Sequence, residues 1–411
     1  MLNESIRFLD DRLYVDDVEL GALGAQFGTP LYVYSLRRIA ANYRAIATAF
    51  TPLDAEIHFS AKSNGNLAIL ETLVKQGAGI DAVSAGEAYR ALRAGCAPAK
   101  IVFAGVGKTY AEIKWAVEQQ IGWFNVENEL ELEYLNTIAG QAGTRVRVAL
   151  RLNPDVTANT HPYIATGHGA AKFGLTGDVV DAILARRQQY AHIDIEGLHL
   201  HIGSQLGDTE ATGKAVDTAT SIAKQHAGIT TLNVGGGLPL AYDPHSHLPS
   251  PREFMDVLAQ RAAGFHILLE PGRSISGDAG VLLTSVLYVK HQGGQHIVIV
   301  DGSMTELLRP ALYGAKHAIV PVIARGESIG PVQVVGPVCE SSDVLGRDVP
   351  LPALEPGDLV AVLDAGAYGM VMASNYNARV RPAEIVIETD GSTVHVARRR
   401  ETWDDLLLCE V

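Results

Sequence analysis

Cysteine is scarce in this chain, with three residues in 411, at Cys96, Cys339 and Cys409. An odd and sparse count argues against a disulfide framework and indicates reduced thiols, as in cytoplasmic proteins. No pair of cysteines has the spacing of metal ligands, and the 14 histidines form no HExxH motif. We therefore expect no metal site.

Long hydrophobic runs are also missing. The beginning of the chain, "MLNESIRFLDDR", carries charges and lacks the apolar core of a signal peptide. The longest apolar runs, such as "GVLLTSVLYV", are far shorter than a membrane span. We expect a cytoplasmic protein without a membrane segment.

Basic residues are in the minority, with 33 Lys and Arg against 46 Asp and Glu and a net charge of -13. Nucleic-acid binding needs a basic face, so this class of partner is excluded. The 47% hydrophobic and 19% charged content is typical of a globular protein with a large core. The length predicts one large and one smaller domain.

Short apolar runs alternate with stretches of helical spacing through the first two thirds of the chain. Eight strands are predicted, at 56–62, 79–84, 100–105, 122–126, 145–153, 193–203, 230–237 and 266–273. Because parallel neighbours need crossover helices, we predict a (β/α)8 barrel over residues 31–274. An open doubly wound sheet is the alternative.

The pattern changes after residue 274. Strand-like segments separated by Gly, Pro, Asp and Ser predict a β-sandwich or β-barrel domain over residues 275–411. Only "TELLRPALYGAKH" interrupts them, with a helical turn. Within residues 1–30, "SIRFLDDRLYVDDVEL" predicts a hairpin, and we expect these N-terminal strands to join the β domain.

Polar residues stand at the ends of the predicted barrel strands, where barrel enzymes place their chemistry. They are Lys62, Asp81, Ser84, Arg151, Asn153, His199, His201, Ser204, the triplet Gly235, Gly236 and Gly237, and Glu270, Gly272 and Arg273. The glycine triplet follows the seventh strand, where backbone amides could wrap a phosphate; turn geometry alone would also explain it.

Lys62 in "IHFSAKSNGN" has three interpretations: a structural lysine at a strand end, a counter-ion for an anionic ligand, or a Schiff-base lysine. The last would suit pyridoxal phosphate or a phosphosugar substrate. His201 is either an ordinary core histidine or a ring that stacks on an aromatic cofactor. Glu270 could hold a pyridine nitrogen protonated, or form an ion pair with Arg273.

Several ordered motifs carry a family resemblance, among them "AKSN", "GLHLHIGSQ", "LNVGGGL", "LLEPGRS", "VVGPVCESSDVLGRD" and "LDAGAYGMVMASNYNARVRPAE". With these motifs the chain resembles the diaminopimelate decarboxylases, nearly from end to end. That family belongs to the fold-type III pyridoxal-phosphate enzymes, which also include ornithine and arginine decarboxylases and alanine racemase.

The resemblance implies a cofactor, pyridoxal 5'-phosphate, and a role for each matching residue. The implied cofactor site comprises Lys62, Asp81, His201, Ser204, Gly235, Gly236, Gly237, Glu270, Gly272, Arg273 and Tyr368. The implied substrate site comprises Arg273, Arg309, Tyr313, Glu340 and Tyr368, with Lys62 and Cys339 catalytic. Cys339 and Glu340 would come from the partner subunit of a homodimer with shared active sites. Cys339 could instead be a small buried residue, and Tyr376 stays open between packing and function.

The implied reaction takes meso-2,6-diaminopimelate to L-lysine and carbon dioxide. Its substrate keeps a carboxylate and an ammonium at the end that does not react, which arginines and a glutamate would bind. Alternatives are a decarboxylase of another carboxylated diamine, such as carboxynorspermidine or a siderophore intermediate, an amino-acid racemase, and a non-catalytic cofactor carrier.

The chain departs from the usual family pattern at two places. This chain has "KSN" where the family usually has "KAN". It has "DGSMTELLRP" where the family usually has "DAGMNDLIRP", close to the implied substrate arginine. A loop carrying His161 and Lys172 is expected to be a flexible flap beside the site.

Overall fold

The computed structural model describes residues 1–159, 166–167 and 171–411, so His161 lies outside the described residues. The chain divides into two compact units. The β unit comprises Met1–Asn42, Ala241–Ser246 and Ile275–Val411, and the barrel unit comprises Tyr43–Leu240 and His247–Ser274. In the described ranges, every helix is too short or too polar to cross a membrane.

The N-terminal segment contributes three short strands, a central strand and two helices. They are β1 (Ile6–Leu9), β2 (Arg12–Val15), β3 (Val18–Glu19), α1 (Leu20–Phe27), β4 (Leu31–Ser35) and α2 (Leu36–Phe50). Strands β1, β2 and β3 form a small antiparallel sheet, which confirms the predicted hairpin.

Parallel strands and helices alternate through the barrel unit. The strands are β5 (Ala55–Ser60), β6 (Gly79–Ala82), β7 (Ile101–Phe103), β8 (Trp123–Val126), β9 (Val146–Arg151), β10 (Ile193–His199), β11 (Thr231–Asn233) and β12 (His266–Leu269). The helices are α3 (Leu67–Lys75), α4 (Ala85–Arg93), α5 (Tyr110–Glu118), α6 (Glu129–Gln141), α7 (Gly177–Ala185), α8 (Glu210–Ala223) and α9 (Pro251–Arg261).

The eight strands close into a barrel in chain order, because β12 pairs with β5. This confirms the predicted barrel and excludes an open sheet. Each predicted strand is present, but the observed strands are shorter. Lys62 and His201 therefore follow their strands, whereas Asp81, Arg151 and His199 lie in the last residues of theirs, all towards the C-terminal end of the barrel.

Local sequence signals start several of these helices. Ser84, a candidate site residue, is the N-cap of α4, and its hydroxyl accepts from the Glu87 amide at 3.2 Å. Thr109 and Glu112 form a capping box at α5. Such caps satisfy amides that the helix itself leaves open and so fix where α4 and α5 begin.

The remainder of the chain is mainly β structure. Its elements are α10 (Arg273–Ser276), β13 (Gly280–Gln292), β14 (Gln295–Val300), α11 (Arg309–Tyr313), β15 (Ile319–Pro321), β16 (Pro331–Val335), β17 (Val344–Pro350), β18 (Leu359–Val362), β19 (Ala383–Ile387), β20 (Val394–Arg398) and α12 (Trp403–Leu406). The sheet has the order β17-β16-β14-β13-β4-β19-β20, and β18 also pairs with β13. Ile6 and Leu13 lie in the same buried apolar cluster as Val281 and Ile385, so the N-terminal strands share the core of the β unit.

Candidate active site

A cavity of about 520 Å³ opens at the C-terminal ends of the barrel strands. Its lining includes Lys62, Arg151, His199, His201 and Glu270. The volume is in the range of roughly 300–1,000 Å³ that is usual for small-molecule sites. The barrel therefore brings the lysine, the histidines and the carboxylate of the sequence prediction to one place.

Lys62 lies in a single helical turn directly after β5. Its Nζ is 4.0 Å from Oδ2 of Asp81, whose side chain is fully buried. The Ser60 hydroxyl donates to the same oxygen of Asp81. Ser63 is buried and donates to the Ser60 carbonyl at 2.8 Å, so its hydroxyl closes the turn that carries the lysine.

Lys108 is the second lysine of the cavity, and its ammonium has three close partners. Nζ lies 2.9 Å from the Gly105 carbonyl, 2.7 Å from the Asn125 carbonyl and 2.6 Å from Oε1 of Glu131. The side chain is 1% exposed. All three ammonium protons are committed to protein acceptors, so Lys108 has a structural role and does not compete with Lys62 as a nucleophile.

Glu270 follows β12 and is held by residues from three other strands. Its Oε1 accepts from the side-chain amides of Asn125 at 3.1 Å and Asn233 at 2.6 Å. Nε2 of the buried His199 lies 3.4 Å from Oε2. The two amides hold one oxygen and His199 lies beside the other, so both ends of the carboxylate are restrained.

Two buried carboxylates that interact with Lys62 differ in their pKa. Burial raises the pKa of Asp81 to about 7, and the Glu270 charge adds to this while Lys62 opposes it. Burial would also raise the pKa of Glu270, but His199, Lys62 and the Asn233 amide outweigh it and hold the pKa well below its usual range. Glu270 is thus the permanent anion of the cavity.

His201 is neutral. Burial, followed by the charges of Lys62 and Arg151, lowers its pKa well below the ordinary value. Its Nδ1 accepts from the backbone amide of Gly236 at 3.2 Å, which places the remaining ring proton on Nε2. A neutral, oriented imidazole can stack on a flat aromatic ligand.

The glycine triplet passes between His201 and Glu270 with no room for side chains. A Cβ at Gly236 would lie 2.5 Å from the Glu270 carbonyl oxygen, and one at Gly235 would lie 2.4 Å from the Leu200 carbonyl oxygen. Gly235 and Gly237 also have φ values of +69° and +106°. Both the backbone conformation and the space therefore require glycine.

Ser204, Gly272 and Arg273 meet beside this turn. The Arg273 guanidinium donates to the Ser204 hydroxyl from Nη2 at 3.1 Å and from Nε at 3.3 Å. A Cβ at Gly272 would lie 2.8 Å from the Ser63 hydroxyl, so this glycine lets the eighth strand pack on the lysine turn.

These residues fit pyridoxal phosphate, a flat pyridine ring with a phosphate arm. Lys62 offers the amine, His201 a stacking face, and Glu270 an anion for the ring nitrogen. Oδ1 of the buried Asp81, beside Lys62, has no hydrogen-bond partner among the described residues, so one polar atom next to the lysine is unsatisfied. Ser204 and Arg273, beside the glycine turn, supply donors that a phosphate needs, whereas the Gly235 and Gly236 amides already donate to Asn233 and His201.

The structure places the other predicted residues in the β unit. Arg309 begins α11, is 6% exposed, and donates from Nη1 to Nε2 of His317 at 2.9 Å. Tyr313 ends the same helix, four residues on, and therefore lies on the same face. Tyr368 has a φ of +56°, which is uncommon for an aromatic residue.

Cys339 and Glu340 are exposed and are held by a neighbouring turn. The Cys339 amide donates to the side chain of Asn377 at 3.0 Å, and the Tyr376 hydroxyl donates to Glu340 at 2.5 Å. Asn377 and Ala378 have φ values of +56° and +54°. The exposure of Cys339 argues against the alternative of a small buried residue.

The segment "DGSMTELLRP", which differs from the usual family pattern, contains one buried hydrogen-bond network. The hydroxyls of Ser303 and Thr305 donate to the Glu306 carboxylate at 2.7 and 2.8 Å. Burial raises the pKa of Glu306, and these hydroxyls counteract it. Ser303, Thr305 and Glu306 thus satisfy one another's buried hydrogen-bonding groups. The residues that differ from the usual family pattern therefore fit together as a set within the β unit.

Sequence reasoning missed Asn125, Asn233, Lys108, His317 and Tyr242. Asn125 did leave a signal, because it is a polar residue in the otherwise apolar strand β8, whereas Asn233 shares the short strand β11 with a threonine. Of the predicted flap, Lys172 is described, with Nζ 5.3 Å from the centre of the Phe173 ring.

Comparisons with known proteins agree with this geometry. Residues 36–277 match the family described as "Pyridoxal-dependent decarboxylase, pyridoxal binding domain". The chain is 42% identical to the diaminopimelate decarboxylases of Aquifex aeolicus, over 98% of this chain and 96% of that protein, and of Pseudomonas aeruginosa, over 98% of both. The crystal structure of diaminopimelate decarboxylase from M. jannaschii in complex with L-lysine superposes with a TM-score of 0.93 at 36% identity, over 100% of this chain and 99% of that one.

Proposed function

Because the chain belongs to the diaminopimelate decarboxylases, within the pyridoxal-dependent decarboxylases, we propose that it converts meso-2,6-diaminopimelate to L-lysine and carbon dioxide, the last step of lysine biosynthesis. The observation that carries this function is 42% identity to such enzymes over 98% of the chain. The protein is a carboxy-lyase that uses pyridoxal phosphate.

Each barrel residue of the cofactor site has a separate role in this proposal. When bound, pyridoxal phosphate supplies a conjugated ring that accepts the electron pair released as carbon dioxide leaves. Lys62 would hold the cofactor, and its amine is the group that the substrate amine would replace. Glu270, whose pKa lies well below its usual range, would keep the ring nitrogen protonated. The neutral His201 would pack on the ring without adding a positive charge.

The carboxylate and ammonium at the other end of the substrate need separate partners. Arg309 and Arg273 would bind the carboxylate, with Tyr313 and Tyr368 beside it, and Glu340 would bind the ammonium. A guanidinium fork suits a carboxylate in a way that a lysine would not. The burial of Arg309 and the hydrogen bond that holds Glu340 in place support this assignment.

Cys339 and Glu340 act on the active site of a partner subunit in this proposal, so the enzyme would be a homodimer. The Cys339 thiol of the partner subunit would deliver the proton that replaces the lost carboxylate at the α-carbon. Exposure of both side chains in the single chain supports a role toward another subunit.

We also propose that the enzyme works in the cytoplasm. All three cysteines lie in the described part of the chain and are free thiols. Reduced thiols are usual in that compartment. Fractionation of the source cells with an antibody to the protein would test this placement.

The decisive experiment supplies a panel of substrates to the purified enzyme. We expect carbon dioxide and L-lysine from meso-diaminopimelate in equal amounts. Carboxynorspermidine and single amino acids serve as comparison substrates. Absence of lysine would contradict the function, and isomerisation of an amino acid without carbon dioxide would favour a racemase.

A further inference from the structure

The Arg309 guanidinium sits in a buried pocket of the β unit, 6% exposed. A buried guanidinium must have its orientation set by close partners, because it has lost most of its contact with water. Two such partners are described. One is His317, eight residues further along the chain, and the other is Tyr242 in the segment 241–246.

His317 has a defined protonation state in this arrangement. Its Nδ1 is 2.8 Å from the Leu363 carbonyl, and its Nε2 is 2.9 Å from Nη1 of Arg309. A carbonyl only accepts, so Nδ1 carries the proton. A guanidinium only donates, so Nε2 presents its lone pair. The imidazole is therefore neutral, in one tautomer, and it anchors the arginine to the backbone of Leu363.

Tyr242 restrains the Arg309 guanidinium from a second direction, across its flat face. The Arg309 guanidinium carbon is 4.7 Å from the centre of its ring, and the rings of Tyr242 and His317 meet edge to face at 5.5 Å. A hydrogen bond in the guanidinium plane and an aromatic face against it together restrict both rotation and tilt of the arginine.

We propose that His317 is a positioning residue that orients Arg309 and thereby selects ligands with a carboxylate at the end distant from the cofactor. This rests on the proposed function, in which Arg309 binds that carboxylate. A carboxylate gains a paired, planar interaction only if the guanidinium already points correctly. His317 contributes through the arginine and does not act on the reacting atoms.

Two substitutions separate the two contacts of His317. In His317→Asn the amide can still donate to the Leu363 carbonyl but is too short to reach Arg309. In His317→Gln the carbonyl can accept from Arg309 at the position of Nε2. His317→Phe keeps the ring volume and removes both nitrogen atoms. It is used in place of His317→Asn if the melting temperature of the Asn variant is too low for the assay.

The probes are L-lysine and 1,5-diaminopentane, which differ by one carboxylate, measured as competitive inhibitors of the holoenzyme. His317→Asn is expected to weaken L-lysine about tenfold, the usual effect of losing a hydrogen bond to a charged group, and to leave diaminopentane within about twofold. The KM for diaminopimelate should rise in parallel, with kcat nearly unchanged. His317→Gln should behave like the wild type.

Three results would overturn the inference: equal weakening of both probes, a fall in kcat with KM unchanged, or a Gln variant that folds but is as impaired as the Asn variant. Arg309→Lys is the matched positive control and should show the same selective loss. The wild-type reaction with diaminopimelate tests the proposed function separately, because the ratio of the two probe affinities reports on His317 whichever substrate is preferred.

Discussion

The hydroxyl of Tyr376 donates a hydrogen bond to Oε1 of Glu340 at 2.5 Å, from a turn in which Asn377 also receives the Cys339 amide. Cys339 and Glu340 are thus both held by hydrogen bonds from one neighbouring turn. That turn contains two non-glycine residues with positive φ, a costly conformation that persists where the surroundings enforce it.

We predict that Tyr376→Phe raises the KM for diaminopimelate by about tenfold, because Glu340 loses a charge-assisted hydrogen bond. Steady-state kinetics would measure this. Tyr288→Phe, at a tyrosine that is 67% exposed, is the matched control and should leave KM unchanged. A KM equal to that of the wild type would show that Glu340 is placed without Tyr376.

Lys62→Ala is expected to abolish turnover and the visible absorbance that borohydride removes from the wild-type enzyme. The reason is that Lys108, the other lysine among the described residues of the cavity, cannot take its place, since its ammonium is bound to three acceptors. Peptide mapping after borohydride treatment should find the cofactor on residue 62. Label on Lys108 would contradict the assignment, and Lys75→Ala, at an exposed helix position, is the control.

Mixing inactive Lys62→Ala with inactive Cys339→Ala should restore about a quarter of the wild-type activity, if subunits exchange randomly and one site per mixed dimer is intact. The double variant mixed with Lys62→Ala is the control, because no site in that mixture contains both residues. If subunits exchange but activity does not return, Cys339 acts within its own chain.

The raised pKa of Asp81 predicts a pH dependence of stability in the cofactor-free protein. An unfolded aspartate ionises near pH 4, whereas Asp81 does so near 7. Between these values the folded state binds more protons, so this residue makes stability fall as pH rises. Asp81→Asn should therefore raise the melting temperature more at pH 8 than at pH 5. Asp11→Asn, on an exposed turn, should show no such trend.

Gly236→Ala should weaken cofactor binding by more than about tenfold, because its Cβ would lie 2.5 Å from the Glu270 carbonyl oxygen and displace the backbone that carries the carboxylate. Titration of the cofactor-free protein with pyridoxal phosphate would measure it. Gly86→Ala, in helix α4 with the nearest contact at 3.7 Å, should bind as the wild type does.

The barrel was predictable because strands buried on both faces read as apolar runs between amphipathic helices. Strands β4 and β17 were not predicted. β4 leads directly into helix α2 without a turn signal, and its partners β13 and β19 lie far away in the sequence. β17, "VLGRDVP", carries Arg347 and Asp348 on its exposed side and so lacks a clear apolar alternation.

The site was predictable where motifs place residues at strand ends, and less so where a residue acts through another. Nothing in the sequence indicates that Asn125 and Asn233 share one oxygen of Glu270, since they lie on separate strands. In the same way, His317 reads as one histidine among 14 until its two ring contacts are seen.

The position of β4 has a consequence for the order in which the chain folds as it is synthesised. It lies between β13 and β19, antiparallel to β13 and parallel to β19, although about 250 residues of chain separate it from β13 and about 350 from β19. During translation the barrel can close once β12 has emerged, while β4 must wait for β19 at residue 387. A fragment that begins at residue 275 lacks this central strand, so we expect the C-terminal segment not to fold without residues 1–42.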